Sequence, residues 1–354
     1  MRTIIKTLLV SIASLSLMFS VNAGELTVSG TAKATYNMLS GAEGDNGVGV
    51  TNELNFTASG EMDNGYTWSY SMELDPSSSG TNAATDGTAP GQAINDDTQI
   101  SLTMNDLGTV KVCVSECGNN KKYAWDQSSY TSMSDTGFSE GIVYPGDAAG
   151  YASVQYHTPE LPFGMTASVA YGQQKKDGQS GNTTATSGNS IEEYSLTIKP
   201  PMIDGLTLSG SAYEINDFDD GSEIEDQLEE GGAYAVSYSS GNFTVGYGKS
   251  FKAPEVLNTS RSLGATTVEY YENTGYSLGY AVNDALSVSY TREESEANYL
   301  TSSTTNYDIE MDSVQIAYSL GGATLSLARA DYENVGYANN SDAEETIIAM
   351  SFAF

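Results

Sequence analysis

Histidine and basic residues are scarce in this sequence. Its 354 residues include one histidine and 14 Lys and Arg against 46 Asp and Glu, which gives a formal net charge of −32. So few bases argue against nucleic acid as a partner, because phosphate binding needs clustered Lys and Arg. The single histidine, His157, lies beside Pro159 at a predicted short turn, away from the long loops. We therefore expect neither a nucleic-acid-binding protein nor an enzyme that uses a Ser–His pair.

Long hydrophobic runs are absent beyond the first 23 residues, and a transmembrane helix would need about 20 apolar residues. The exception is the N-terminus, where Arg2 and Lys6 precede a mostly apolar run that ends in Val21-Asn22-Ala23. This pattern predicts a secretory signal peptide over residues 1–23, followed by one domain over residues 24–354. Its removal would leave 12 basic and 46 acidic residues, a net charge of −34.

Cysteine is rare, and both copies, Cys113 and Cys117, lie near the start of a long loop. Export to an oxidising compartment and an even count favour a disulfide at the base of that loop. The alternatives are two free thiols or a metal-binding Cys-x₃-Cys pair.

The chain is rich in segments in which large apolar residues alternate with small or polar ones. At the C-terminus, Ile348, Met350, Phe352 and Phe354 alternate with Ala349, Ser351 and Ala353. This period of two indicates a β-strand, and it recurs in sixteen segments that are separated alternately by tight turns and long polar loops. This alternation predicts an all-β fold, a 16-stranded antiparallel up-and-down transmembrane β-barrel with tight turns at one rim and long loops at the other.

The two faces of the predicted strands differ in chemistry. One face is rich in Tyr, Leu, Val and Phe, and the other consists mainly of Ser, Thr, Gly and Asn. A sixteen-stranded barrel is too wide for side chains to fill, so the polar face should surround water. The apolar face should then meet lipid, with tyrosines near the strand ends as interfacial girdles.

The signal peptide, the opening Leu26-Thr27-Val28-Ser29-Gly30, the sixteen-strand rhythm and the terminal Phe354 together resemble the Gram-negative outer-membrane general porins, nearest the alphaproteobacterial type. The resemblance implies a multi-pass outer-membrane homotrimer that contacts lipid and lipopolysaccharide. It implies a water-filled channel in each subunit for passive diffusion of small hydrophilic solutes. It also implies that the barrel-assembly machinery recognises the C-terminal Phe, and that the third long loop folds into the lumen.

That loop spans about residues 116–149 and is the longest in the chain. Its charged residues are the candidates for a pore constriction: Glu116, Lys121, Lys122, Asp126, Asp135, Glu140 and Asp147. Facing bases on the pore wall are expected at Lys33, Lys111 and Arg292, whereas Arg329 shares the parity of Leu325 and Leu327 and would face lipid. Because acids outnumber bases, we expect a weak preference for cations.

Two further alternatives concern the acidic loops. Asp217, Asp219 and Asp220 are weak candidates for Ca²⁺ or Mg²⁺, although Phe218 falls where a calcium loop needs an oxygen ligand. No other cofactor or metal is expected. The chain could also be an adhesin or structural barrel that binds partners through its long loops, a function that conductance measurements would distinguish from a channel.

Overall fold

The computed structural model describes residues 25–41, 46–76, 93–114, 117–118, 141–174, 190–216, 224–258, 267–300 and 305–354. Sixteen strands form one closed barrel, in which every neighbouring pair is antiparallel and the first strand pairs with the last. No helix in these ranges is long and apolar enough to cross a membrane. The strands are β1 (Glu25–Gly41), β2 (Gly47–Glu61), β3 (Thr67–Pro76), β4 (Ala93–Thr103), β5 (Thr109–Cys113), β6 (Tyr151–His157), β7 (Met165–Gln174), β8 (Ser190–Ile198), β9 (Leu206–Asn216), β10 (Ile224–Gln227), β11 (Glu230–Ser240), β12 (Phe243–Ala253), β13 (Val256–Asn258), β14 (Val268–Ala281), β15 (Leu286–Tyr299), β16 (Ile309–Ser319), β17 (Ala323–Glu333) and β18 (Ala343–Ala353).

The predicted alternation of faces is confirmed. On β16, Val314, Ile316 and Tyr318 are 40–54% exposed, whereas the intervening Gln315 and Ala317 are buried. The neighbouring strands continue both faces in register. Large apolar side chains cover the outside, and the inside is mainly small or polar, apart from a buried apolar cluster that includes Met311, Tyr332 and Ile347. This arrangement suits a lipid-facing outer surface, because a closed barrel leaves no unpaired strand edge in hydrocarbon.

The C-terminal residue closes the barrel against β1. The backbone N–H of Gly30 donates to the carbonyl oxygen of Phe354 at 2.8 Å, and the N–H of Phe354 donates to the carbonyl oxygen of Gly30 at 3.0 Å. A Cβ atom on Gly30 would lie 2.8 Å from the Phe354 ring and equally close to the carbonyl oxygen of Glu53. Glycine at this position therefore lets the terminal aromatic ring lie flat against the first strand.

Replacing Gly30 with valine is expected to destabilise the barrel by at least about 1 kcal/mol, because the new side chain overpacks this seam. Urea unfolding of the refolded protein would measure the loss. Gly47→Val is the matched control, since no atom of the residues that the structure describes lies within 4 Å of a Cβ built at Gly47. Equal stability of the two variants would contradict the role of the seam.

One element was not predicted. Residues of the expected acidic loop form β10, which pairs with β13 from the next long loop as a separate two-stranded sheet. The sequence Ile224-Glu225-Asp226-Gln227 has no apolar alternation, so its pairing depends on a tertiary contact that periodicity does not report.

Candidate functional site

The inner face of the barrel is the candidate site, and its charged side chains are unequal in sign. The acids on this face, identified by cross-strand register, include Glu25, Glu53, Glu61, Glu73, Glu193, Glu293 and Glu345. The bases on the same face are Lys33, Lys111 and Lys252. Acids therefore outnumber bases among the described inner-face positions of the strands.

Two of the three predicted wall bases lie on the inner face, and the third does not. Lys33 is opposite Ser351, and Lys111 is opposite Gln155. The prediction for Arg292 was wrong, because this residue shares the outer face with Tyr276 and Tyr290. Its guanidinium group is held there by three outer-face carboxylates, which provide the charge partners that a lipid-facing arginine would otherwise lack.

Of the predicted constriction residues, Asp147 lies in the described part of the chain. Its carboxylate accepts a hydrogen bond of 3.0 Å from the backbone N–H of Ala149 and caps a short 3₁₀ turn before β6. The other predicted constriction residues, which lie outside the described residues, are Glu116, Lys121, Lys122, Asp126, Asp135 and Glu140.

The base of the third long loop is tied to the wall. Cys113 and Cys117 are joined as a disulfide, with their Cα atoms 6.2 Å apart. The buried side chain of Gln155 donates from Nε2 to the carbonyl oxygen of Cys117 at 2.6 Å. His157 lies next to it on the same strand and shares a hydrogen bond of 3.0 Å with Gln155 Oε1. The single histidine therefore belongs to the wall beside this anchor.

Residues 141–147, the end of the third long loop, contact the opposite side of the barrel. The Tyr144 hydroxyl donates to Glu293 Oε2 at 2.5 Å. The Asn273 amide Nδ2 donates to the carbonyl oxygen of Val143 at 3.0 Å. Glu293 and Asn273 both belong to the inner face, on β15 and β14. Segment 141–147 is thus bound to strands that follow it by about 130 residues in the chain.

Asn273 is the centre of this contact. It is 1% exposed, and its Nδ2 also donates to Ser250 Oγ at 3.0 Å. Its Oδ1 accepts from Ser295 Oγ at 2.5 Å, and Ser295 is in turn 2.7 Å from the Tyr337 hydroxyl. The network joins β12, β14 and β15 to the last long loop. Sequence reasoning missed these residues, because one Asn or Ser on a polar face looks like any other.

A second contact lies on the other side of segment 141–147. The Tyr213 hydroxyl donates to Glu229 Oε1 at 2.9 Å, and Lys252 Nζ is 2.9 Å from the same oxygen. A Cβ atom on Gly146 would meet both the Tyr213 ring and Glu229 Oε1 at about 3.1 Å. A side chain at position 146 would require Tyr213 or Glu229 to move by a few tenths of an ångström.

Tyr337 makes the network sensitive to alkaline pH. Burial is the main cause that raises the pKa of Tyr337 to about 12, from an ordinary value near 10. The folded protein favours the neutral phenol, so its contribution to stability is complete below pH 10 and is lost as the pH rises towards 12. Between these values the unfolding free energy of the wild type should fall by roughly 1–2 kcal/mol more than that of Tyr337→Phe. Parallel curves for the two proteins would contradict this prediction.

Charged residues on the outer face gather at the long-loop end of β12 and β14–β18. Arg292 contacts Glu310 Oε2 at 2.5 Å, Asp312 Oδ2 at 2.9 Å and Glu294 Oε1 at 3.0 Å. Arg329 contacts Asp331 at 2.8 Å and Glu344 at 3.0 Å, and Lys249 pairs with Glu272. Arg329 therefore lies on the predicted outer face, among acids that outnumber the bases.

One acid beside this region titrates unusually. Asp308 immediately precedes β16, and burial together with the nearby carboxylates Glu310 and Glu294 raises its pKa. Within the described ranges, however, no group of three or more His, Cys, Asp or Glu side chains is placed to hold a metal ion. The weak metal candidates Asp217, Asp219 and Asp220 lie outside those ranges.

Known structures share this architecture. Salmonella typhi OmpF in complex with daunomycin matches with a TM-score of 0.66 and 12% identity, covering 94% of this chain and 98% of that one. The trimer form of Vibrio cholerae OmpT matches with a TM-score of 0.62 and 11% identity, covering 94% and 100%. A triple mutant of Rhodopseudomonas blastica porin matches with a TM-score of 0.58 and 12% identity, covering 93% and 100%. At these identities the likeness shows the fold alone.

The family is shown by a comparison with sequence families. The family model described as Gram-negative porin matches residues 8–353. A search of curated proteins gives no match. Because the family match covers almost the whole chain and the fold is the closed barrel that such proteins share, this chain belongs to the Gram-negative porins of the outer membrane.

Proposed function

We propose that the barrel is a water-filled channel for passive diffusion of small hydrophilic solutes and ions, with a weak preference for cations. The excess of acids over bases on the inner face carries this proposal. Fixed carboxylates in a narrow aqueous passage raise the local concentration of cations and lower that of anions. Family and fold point to such a passive channel rather than to an enzyme.

The third long loop is proposed to fold into the lumen and narrow it. Support comes from its two ends. At its start, the Cys113–Cys117 disulfide and Gln155 hold the chain to the wall, and at its end segment 141–147 binds inner-face residues of β14 and β15. We propose that the charged loop residues between these anchors line the constriction. A thiol titration of unfolded, unreduced protein tests the first anchor, and two free thiols per chain would remove it.

The proposed partners are two further copies of this chain, the barrel-assembly machinery during insertion, and lipopolysaccharide. A trimer is supported by the trimer form of the Vibrio cholerae neighbour. The acidic outer face at the long-loop end lies where outer-leaflet headgroups would meet the barrel, since long loops of such barrels are extracellular. Divalent cations would have to bridge its carboxylates to lipid phosphates.

Single-channel recording with a matched pair of variants tests the channel and its charge preference. Glu53 lies on the inner face, where Thr31 Oγ1 donates to it at 3.1 Å, whereas Glu344 lies on the outer face and is 56% exposed. Under a KCl gradient, Glu53→Gln should shift the reversal potential towards anions and Glu344→Gln should leave it unchanged. Equal shifts would contradict an electrostatic role of the inner face. Absence of conductance from folded barrels would favour an adhesin.

A further inference from the structure

A cavity of about 500 Å³ lies on the inner face at the short-turn end of β12 and β14–β17. Its lining includes Tyr280 of β14, and the inner-face strand residues are small and uncharged, with Gly279 and Ala317 between hydroxyl-bearing residues. Those hydroxyl-bearing residues are Thr244, Ser287, Ser289, Ser319 and Thr324. Among the described residues that line the cavity, Asp284 alone is charged, and it lies in the turn at the mouth. The volume falls within the range of about 300–1,000 Å³ that is typical of small-molecule sites.

Polar atoms without a partner extend from this cavity along the wall. Within the described part of the chain, five inner-face side chains of β14–β16 are buried and have an oxygen without a hydrogen-bond partner. They are Ser277, Ser289, Thr291, Ser313 and Gln315. Register makes them one continuous patch, because Thr291 is opposite both Ser277 and Ser313, and Ser289 is opposite Gln315. Ser289 belongs to both the patch and the cavity lining.

We propose that this cavity is a binding site for neutral polyhydroxylated solutes of about disaccharide size, and this proposal rests on the channel function proposed above. The hydroxyl-bearing residues Thr244, Ser287, Ser319 and Thr324 line the cavity together with Ser289. The Ser289 hydroxyl has no hydrogen-bond partner among the described residues, whereas buried polar groups in proteins are normally paired. Each Ser or Thr hydroxyl can both donate and accept, as can each sugar hydroxyl. A polyol can therefore satisfy several wall groups at once.

The charge and shape of the site disfavour other ligands. An ionised solute would need a counter-charge within the cavity, and its strand-borne lining provides none among the described residues. An apolar solute would cover the hydroxyl groups that line the cavity without bonding to them, which is unfavourable. A neutral polyol needs no counter-charge, and its hydroxyl groups can bond to the hydroxyl groups that line the cavity.

Sucrose added to the short-turn side of single channels in KCl tests the site. The wild type should lose conductance in a saturable way as sucrose increases. Poly(ethylene glycol) of the same hydrodynamic size, which cannot donate hydrogen bonds along its chain, should cause a decrease that follows its concentration without saturation. In Ser289→Ala the apparent affinity for sucrose should fall about fivefold, the effect of one lost hydrogen bond.

Ser209→Ala is the matched control, since Ser209 is an inner-face serine of β9 outside this cavity. Its sucrose affinity should equal that of the wild type. If sucrose does not lower the conductance of the wild type in a saturable way, the binding site is overturned and the channel function is unaffected. An equal loss of sucrose affinity in Ser289→Ala and Ser209→Ala would show that the binding site is not located at this cavity. A folded barrel with no KCl conductance would overturn the channel and this proposal with it.

Discussion

Replacing Asn273 with leucine is expected to lower the unfolding free energy by about 3 kcal/mol and to change the open-channel conductance. The substitution keeps the branching and the number of side-chain heavy atoms but removes an amide that bonds to Ser250, Ser295 and the carbonyl oxygen of Val143. Asn273 is 1% exposed, so water cannot readily replace it. Each buried group left without its partner costs about 1–3 kcal/mol. Chemical denaturation and single-channel recording would measure the two effects.

A graded control separates loss of the network from loss of a single hydrogen bond. Ser250→Ala removes one partner of Asn273 while the contact with Val143 stays intact. It should destabilise the barrel by only about 1 kcal/mol and leave the conductance as in the wild type. If Asn273→Leu destabilised the protein without changing the conductance, the network would support the wall but would not control the position of segment 141–147.

Replacing Arg292 with methionine is expected to destabilise the barrel by about 2 kcal/mol at neutral pH. The variant loses contacts with three carboxylates and leaves these like charges close together without a cation. Because these side chains are 32–45% exposed, solvent screening reduces the effect below that of a buried network. The difference from the wild type should shrink in high salt, where screening weakens the repulsion.

Arg329→Met is the comparison for this prediction. Arg329 has two acidic partners and is more exposed than Arg292, so its replacement should cost less. A destabilisation of Arg292→Met that is independent of salt would show that the arginine acts by packing alone. An unchanged ion selectivity is expected for both variants, because both residues belong to the outer face.

Local alternation was sufficient to predict the barrel. The strands of a barrel repeat one rule, apolar outside and polar inside, and the period of two reports it directly. The C-terminal strand illustrates this, since Ile348, Met350 and Phe352 are exposed on the outside as their spacing predicts. The strand count, the closed antiparallel topology and the alternation of long and short connections followed from this repetition.

The alternation of the strand also predicts that Arg292 lies on the outer face, although we expected this residue on the pore wall. It follows Val288 and Tyr290 at intervals of two, so the pattern alone places it outside. We expected Arg292 on the pore wall because an isolated arginine among lipid-facing residues is costly. That expectation was wrong because the arginine is not isolated. Its partners Glu310 and Asp312 come from the next strand, and their position depends on cross-strand register.

Contacts between distant segments could not be predicted. Asn273 and Val143 are separated by 130 residues, and nothing in either local sequence indicates that they meet. The same is true of β10 and β13, which pair across two loops. The unpaired oxygens beside Ser289 likewise depend on the register of three strands rather than on a motif.

The central claim is that this chain forms an open, acid-lined channel, and recording from refolded mature protein in a planar bilayer under a KCl gradient tests it most directly. We predict stepwise conductance in groups of three and a reversal potential of cation sign. A reversal potential of anion sign would contradict the acid-lined pore, and folded barrels without conductance would contradict the channel itself.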